Sequence, residues 1–209
     1  MDLVSTNQRL MTSYESEKDW SSFIRENNLR SVEEIPENYR HVFSNFTHFN
    51  KIQSKVFDDI YYTDHPVVIS SPTGSGKTVL FELAIIRFLI NLELINRPNA
   101  YRMVYISPLK ALCDERLIDW HDKFNSLGVN CISVTGDNEN YDLYNLKNFA
   151  LIITTPEKWD SLTRKWRNNK ILMQSIKLFM IDEVHLLNED SRGSTLEVVV
   201  SLFNNYLFV

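Results

Sequence analysis

Cysteine is scarce in this chain, with two residues, Cys113 and Cys131, among 209. Two thiols cannot build a disulfide framework or a four-ligand zinc site. Both lie in apolar stretches, so buried free thiols in a reducing compartment are expected. Basic charge is not in excess: 22 Lys and Arg face 27 Asp and Glu, for a net charge of −5. That balance excludes a global electrostatic grip on nucleic acid or on an anionic membrane, and leaves only local basic patches. No apolar run reaches the ~18 residues of a spanning helix, because Arg87 and Glu93 interrupt the longest candidate. The start, MDLVSTNQRLMTSYESEKDW, has no apolar core behind basic residues and is no signal peptide. A soluble, intracellular protein with no membrane partner is expected. Nothing repeats, and no low-complexity tract is present. Glycine is rare too: there are five, and two of them, Gly74 and Gly76, share one loop.

What is present is 44% apolar residues, normal for a globular domain and too many for a disordered chain. Residues 1–28 are polar and weakly periodic, a loose or helical lead-in. From Leu29 the pattern alternates between short apolar runs and longer amphipathic stretches. Val67–Ile69, Met103–Ile106, Cys131–Val134, Leu151–Ile153 and Leu178–Ile181 have the content of strands buried on both faces. Leu80, Ala84 and Phe88 recur at helical spacing beside Phe81, Ile85 and Leu89. Leu109–Phe124 and Glu157–Trp166 are weaker helical candidates. Strand alternating with helix predicts an α/β fold, a mostly parallel sheet with helices on both faces. In such sheets ligands bind beyond the carboxyl ends of strands, so chemistry is expected just after the apolar runs.

Directly after Val67–Ile69 comes Ser70-Ser71-Pro72-Thr73-Gly74-Ser75-Gly76-Lys77-Thr78, then a helical stretch. Gly74 and Gly76 allow backbone N–H groups to turn inward around phosphates. A helix start adds its dipole and its unpaired donors. Lys77 is placed to reach the β- and γ-phosphates, and the Thr78 hydroxyl to ligate Mg2+. Thr73 and Ser75 complete the loop. The general phosphate-loop pattern begins with Gly, and here Ser71 stands in that place.

The last apolar run leads into Asp182-Glu183-Val184-His185. Asp182 at a strand tip suits the hydration shell of Mg2+, and Glu183 beside it suits the orientation and deprotonation of an attacking water. ATP hydrolysis fits this pair better than phosphoryl transfer to a substrate. Arg164-Lys165-Trp166-Arg167 with Lys170 is the densest basic cluster, read as a solvated helix end or as a contact to a nucleic-acid backbone.

Together the phosphate loop and Asp182-Glu183-Val184-His185 resemble the DExH-box helicases of superfamily two. Pro108-Leu109-Lys110-Ala111-Leu112, Thr135-Gly136-Asp137 and Thr154-Thr155-Pro156-Glu157-Lys158-Trp159-Asp160 are similar to its nucleic-acid-contacting motifs. Arg192-Gly193-Ser194-Thr195-Leu196-Glu197 is similar to the Ski/Brr-type branch. Within that branch Leu29–Pro36, Phe49–Ser54 and Val79–Arg87 look most like the meiotic crossover helicases of the MER/HFM type. The resemblance implies a first RecA-like, P-loop NTPase lobe over 29–201, using ATP and Mg2+. Gln53 matches the glutamine that reads the adenine edge, with Phe46 or Phe49 stacking on the base. His185 matches the histidine coupling nucleotide site to strand path, and Pro108, Lys110, Thr135, Gly136, Thr155, Pro156 and Glu157 match positions along that path. It further implies single-stranded or branched DNA as partner with RNA left open, 3'-5' movement, a meiotic role and a nuclear location. In the family a Ser/Thr-Ala-Thr strand and a second RecA-like lobe follow. Here the chain continues past Ser201 with an atypical tail over 202–209, so a lobe truncated after the acidic box is expected, inactive in ATP hydrolysis when isolated. A non-catalytic module binding nucleic acid or a partner is the alternative.

Overall fold

The computed structural model describes residues 17–72, 74–94, 101–136, 145–164 and 170–184. The chain divides into two compact units, Met1–Arg87 and Phe88–Val209, with the boundary inside a helix.

In the first unit, helix α1 (Glu17–Glu26) covers part of the polar lead-in. Two short 3₁₀ helices, Val32–Glu34 and Glu37–Phe43, lead to α2 (Lys51–Tyr61) and then to α3, which starts at Lys77 and runs to Leu94. Ser31 caps the first 3₁₀ helix by accepting from Glu33 N, while the Glu34 carboxylate accepts from Ser31 N. The two N-terminal blocks that carry the family resemblance are tied together. Phe49 N donates to Arg30 O at 2.9 Å and Arg30 N to Ser54 Oγ at 3.0 Å. The Arg30 guanidinium pairs with Glu34 and Asp58 and lies over the Phe57 ring at 4.6 Å. Phe49 sits between Phe43 and Phe57, ring centroids 5.4 and 5.1 Å away.

Two expectations change here. Val67–Ile69 carries no ladder: a strand exists through its partner, and the sole β-pairing among the described residues of this unit is a bridge between Ser31 and His48. Val68 is accordingly 74% exposed. Helix α3 is also not a striped surface helix. Leu83 and Ile86, off the predicted stripe, are buried with Leu80, Phe81, Ala84 and Ile85, whereas Phe88 is half-buried. Over Leu80–Ile86 the helix is buried on all sides, as interior helices are, while its last turn with Glu93 and Leu94 is exposed.

The second unit holds a four-stranded parallel sheet of β1 (Arg102–Ile106), β2 (Cys131–Val134), β3 (Leu151–Thr154) and β4 (Ile176–Ile181) in the order β2-β3-β1-β4. Helices α4 (Lys110–Phe124), α5 (Pro156–Thr163) and α6 (Lys170–Ser175) connect or precede strands. Alternate residues of a strand face opposite sides. Val104, Ile106, Ile152 and Phe179 pack with Trp159 and Leu162 of α5 and Leu172 of α6. On the other face Tyr105 meets Trp120 of α4 edge-on at 4.8 Å. Helices thus cover both faces, and the strands are mostly apolar because most of their positions meet no water, with Lys177 in β4 exposed. Cys113 and Cys131 are free and buried, and burial pushes both thiols up to about 12.

Candidate functional site

The phosphate-like loop is built against the start of α2. Asn50 is the N-cap of that helix, its side-chain oxygen accepting from Gln53 N at 2.9 Å. Gln53 Oε1 returns the bond by accepting from Asn50 N at 2.9 Å, a reciprocal capping box. Each amide then has its NH2 end left for the loop. Asn50 Nδ2 donates to Ser75 O at 3.0 Å, and Gln53 Nε2 donates to Gly76 O at 3.1 Å. Gln53, which a sequence reading alone would leave in solvent, is only 5% exposed.

The loop itself needs glycine at two places. Gly74 and Gly76 have φ of 80° and 82°, in the left-handed region. A Cβ on Gly76 would lie 2.4 Å from Gln53 Nε2, so the amides pack directly on its Cα. Ser71, standing where the general pattern has glycine, uses its hydroxyl: Ser71 Oγ and Ser75 Oγ are 2.7 Å apart and share a hydrogen bond across the loop. Lys77 Nζ donates to Ser71 O at 3.2 Å, folded back over the loop. Lys77 and Thr78 open α3, where the first N–H groups of a helix lack intrahelical acceptors. Convergent N–H donors, an ammonium and a hydroxyl at a helix start suit a polyphosphate.

In the second unit the four strands end level. Ile106 pairs with both Thr154 and Ile181, and Thr154 with Val134. The segments that follow therefore emerge side by side, and they hold the predicted strand-path residues. After β1 come half-buried Pro108 and exposed Lys110; after β2, buried Thr135 and exposed Gly136; after β3, buried Thr155 and Pro156 and exposed Glu157. The Lys110 side chain passes over Gly136, close enough that a Cβ there would touch its Nζ at 3.6 Å. Thr155 caps α5, its hydroxyl accepting from Lys158 N, with Pro156 in the first turn.

After β4, Asp182 N donates to Ile106 O at 2.9 Å, which fixes the acidic tip on the neighbouring strand. Asp182 Oδ1 accepts from Glu183 N at 2.9 Å, and Oδ2 accepts from the Tyr105 hydroxyl at 2.7 Å. Burial, the nearby Asp182 charge and this hydrogen bond all push the Tyr105 hydroxyl well above its usual range. Glu183 has φ of 53°, a left-handed conformation that costs a non-glycine residue about 1–2 kcal/mol and is typical of residues held for function. Asp182 and Glu183 are both half-buried, with hard oxygen donors that suit a hydrated Mg2+.

Phe49 is fully buried in its aromatic cluster, so of the two stacking candidates Phe46, which is half-buried, keeps exposed ring surface. In the basic cluster Arg164 pairs with Asp160, Nε to Oδ2 at 2.9 Å, and Lys170 is exposed. Thr73, Asp137, Lys165, Trp166, Arg167, His185, the Arg192–Glu197 block and residues 202–209 lie outside the described residues. Asn50 and Tyr105 were not anticipated as site residues. Asn50 left a signal, an N-cap residue three before a glutamine at a helix start. Tyr105 left none, because its partner is 77 positions away.

A family model described as DEAD/DEAH box helicase matches residues 50–208. The probable ATP-dependent DNA helicase HFM1 of Mus musculus is 53% identical over 175 residues, covering 83% of this chain and 12% of that protein. The ATP-dependent DNA helicase MER3 of Saccharomyces cerevisiae is 44% identical over 170 residues, covering 81% of this chain and 14% of its own length. This chain thus spans about an eighth of the length of such relatives. Among solved structures, the DUF1998 helicase MrfA bound to DNA and AMPPNP superposes with a TM-score of 0.70 at 20% identity, over 86% of this chain and 26% of that one. The DEAD-box helicase Mss116 bound to ssRNA gives 0.68 at 20% identity, over 86% and 40%. At that identity the likeness is one of fold, the RecA-like lobe.

Proposed function

Because the chain belongs to the DEAD/DEAH box helicase family, we propose that it is the ATP-binding lobe of an ATP-dependent DNA helicase acting in meiotic recombination in the nucleus. The observation that carries the reading is the loop from Gly74 to Thr78. Its two left-handed glycines, helix-start donors and clamped carbonyls suit a triphosphate and have no other evident use.

In this reading Gly74, Ser75, Gly76 and the start of α3 hold the phosphates, together with Thr73. Lys77 leaves Ser71 O for the β- and γ-phosphates. Gln53 and Phe46 face the base. Thr78 and Asp182 would be the Mg2+ ligands, and the ion would neutralise charge developing on the phosphates. Glu183 orients the attacking water and takes its proton. Tyr105 keeps one Asp182 oxygen engaged, which limits rotation of the carboxylate. The level strand ends with Pro108, Lys110, Thr135, Gly136, Thr155, Pro156 and Glu157 form the path of a single strand, and His185 couples it to the nucleotide. Contacts of this kind meet phosphates without reading bases. Movement 3'-5' and completion of the ATP site by a second RecA-like lobe belong to the same reading.

The test is Lys77→Ala in the intact protein, with matched DNA and RNA strands as competitors. ATP-driven unwinding is expected to disappear while DNA binding without nucleotide stays near wild type. Retained unwinding would overturn the lysine role, and preference for RNA over DNA would overturn the substrate.

A further inference from the structure

The phosphate loop is held from outside by an amide that a motif reading passes over. We propose that Asn50 is a positioning residue for nucleotide binding, one that aims a loop N–H at the phosphates by holding the carbonyl on the other side of the same peptide plane. The inference rests on the reading of Gly74–Thr78 as the triphosphate site.

A trans peptide is planar, with its C=O and the following N–H pointing in opposite directions. Asn50 Nδ2 holds Ser75 O at 3.0 Å, so the Gly76 N–H on the same plane points away from α2. Gln53 Nε2 holds Gly76 O at 3.1 Å and does the same for the Lys77 N–H. Two successive loop donors are thereby turned to one side by two successive amides. The amides are themselves locked by the capping box that joins Asn50 and Gln53. Only one orientation of the Asn50 amide serves both bonds, because its oxygen must accept from Gln53 N while its nitrogen donates to Ser75 O. Gly76 has no side chain to separate the clamp from the loop, and an added Cβ would stand 2.4 Å from Gln53 Nε2 and 3.4 Å from Asn50 Nδ2.

An alternative role for Asn50 is capping α2 and nothing more. The two roles predict different rankings of substitutions. As N-caps, Asp, Ser and Asn are near equals and all exceed Ala. As a clamp, Ser reaches too short a distance to hold Ser75 O, and Asp turns a donor into an acceptor facing a carbonyl. Positioning therefore ranks Asn above Ser and Ser above Asp for nucleotide binding, while stability stays level.

The experiment measures binding of ATP, GTP and inorganic tripolyphosphate to the intact protein carrying Asn50→Ser, Asn50→Asp or Lys77→Ala, beside thermal unfolding. Asn50→Ser is expected to weaken all three ligands by about tenfold, the worth of one hydrogen bond to a charged acceptor. Asn50→Asp is expected to weaken them further, with melting temperatures within about 1 °C of wild type, below the roughly 2–4 °C that loss of a cap would cost a domain of this size. Equal loss across the ligands places the effect on the phosphates rather than the base. Wild-type affinity in both Asn50 variants, with binding abolished by Lys77→Ala, would overturn the clamp and leave the site standing. Loss confined to ATP would also overturn it. Unchanged binding in Lys77→Ala, or none in wild type, would instead overturn the reading of the loop.

Discussion

Removing one oxygen from Tyr105 tests how the acidic tip of β4 is held. The side chain is 1% exposed, and its hydroxyl donates to Asp182 Oδ2 at 2.7 Å. Tyr105→Phe keeps the ring that packs on Trp120, so little is lost but the hydrogen bond. A bond to a charged acceptor contributes about 1.5–3 kcal/mol. Asp182 is half-buried, so water can take the vacated place and recover part of it. A destabilisation of about 1–2 kcal/mol is therefore expected. Urea unfolding of wild type, Tyr105→Phe, Asp182→Ala and the double variant isolates the coupling. The cycle cancels the separate loss of the Glu183 N–H partner. A coupling below about 0.3 kcal/mol, the scatter of independent sites, would show that the bond is not made in solution. The pH dependence gives a second check. The folded state holds the Tyr105 proton more tightly than the unfolded chain does. Its stabilisation is therefore complete below the ordinary tyrosine value of ~10 and fades as pH rises beyond it. Tyr61 and Tyr101 are pushed the same way by burial, so Tyr105→Phe should make the alkaline loss shallower without abolishing it. An alkaline limb as steep as wild type would refute the assignment.

Gly76→Ala should destabilise more than Gly128→Ala in urea unfolding. Both have positive φ, 82° and 75°, but a Cβ at Gly128 meets nothing within 4 Å, whereas at Gly76 it collides with Gln53. Each carries a strain of about 1–2 kcal/mol, so the excess at Gly76 reports the amide clamp, and equal losses would deny it. Cys113 and Cys131, pushed up to about 12 by burial, should resist an aromatic disulfide reagent at pH 8 in the folded protein and react at once in urea. Prompt reaction of either thiol in the fold would show that it is not buried.

Four of the five expected strands were readable, each within two residues of its observed bounds, because a parallel strand covered on both faces is apolar along most of its length. Val67–Ile69 shows what such a reading leaves out. Its residues have the right content, yet content does not supply a partner, and the described residues of its own unit offer none. Helix α3 fails in the opposite direction. Its apolar residues follow a helical period, but they fill the whole circumference, so the stripe picked out one face of a helix that has no solvent face over Leu80–Ile86. At the candidate site, the residues grouped by local spacing were legible as a loop: Lys77, Thr78 and the two glycines stand in one short run. Gln53 was legible by resemblance, and its burial was not, since a glutamine in a polar stretch carries no mark of the loop 23 positions away that receives its amide. Tyr105 was hidden for the same reason. In a strand it reads as core, and only the sheet register brings its hydroxyl to Asp182.

That register also bears on how a chain of net charge −5 could follow a polyanion. Long-range attraction is absent, so any contact with a strand must be made by groups brought to one place. The sheet does this by ending β1, β2 and β3 together, which sets the Pro108–Lys110, Thr135–Gly136 and Thr155–Glu157 segments in a row. Lys110 lies over Gly136, and the absence of a side chain there keeps the ammonium near the backbone of the adjacent loop. Next to it α5 presents its N-terminus, whose dipole favours an anion, while Glu157 in the same turn opposes one. A path made of backbone donors, hydroxyls and one cation attracts phosphate weakly at each step. Weak, sequence-blind contacts are what the proposed strand path would need, since phosphates repeat identically along a strand and carry no base identity.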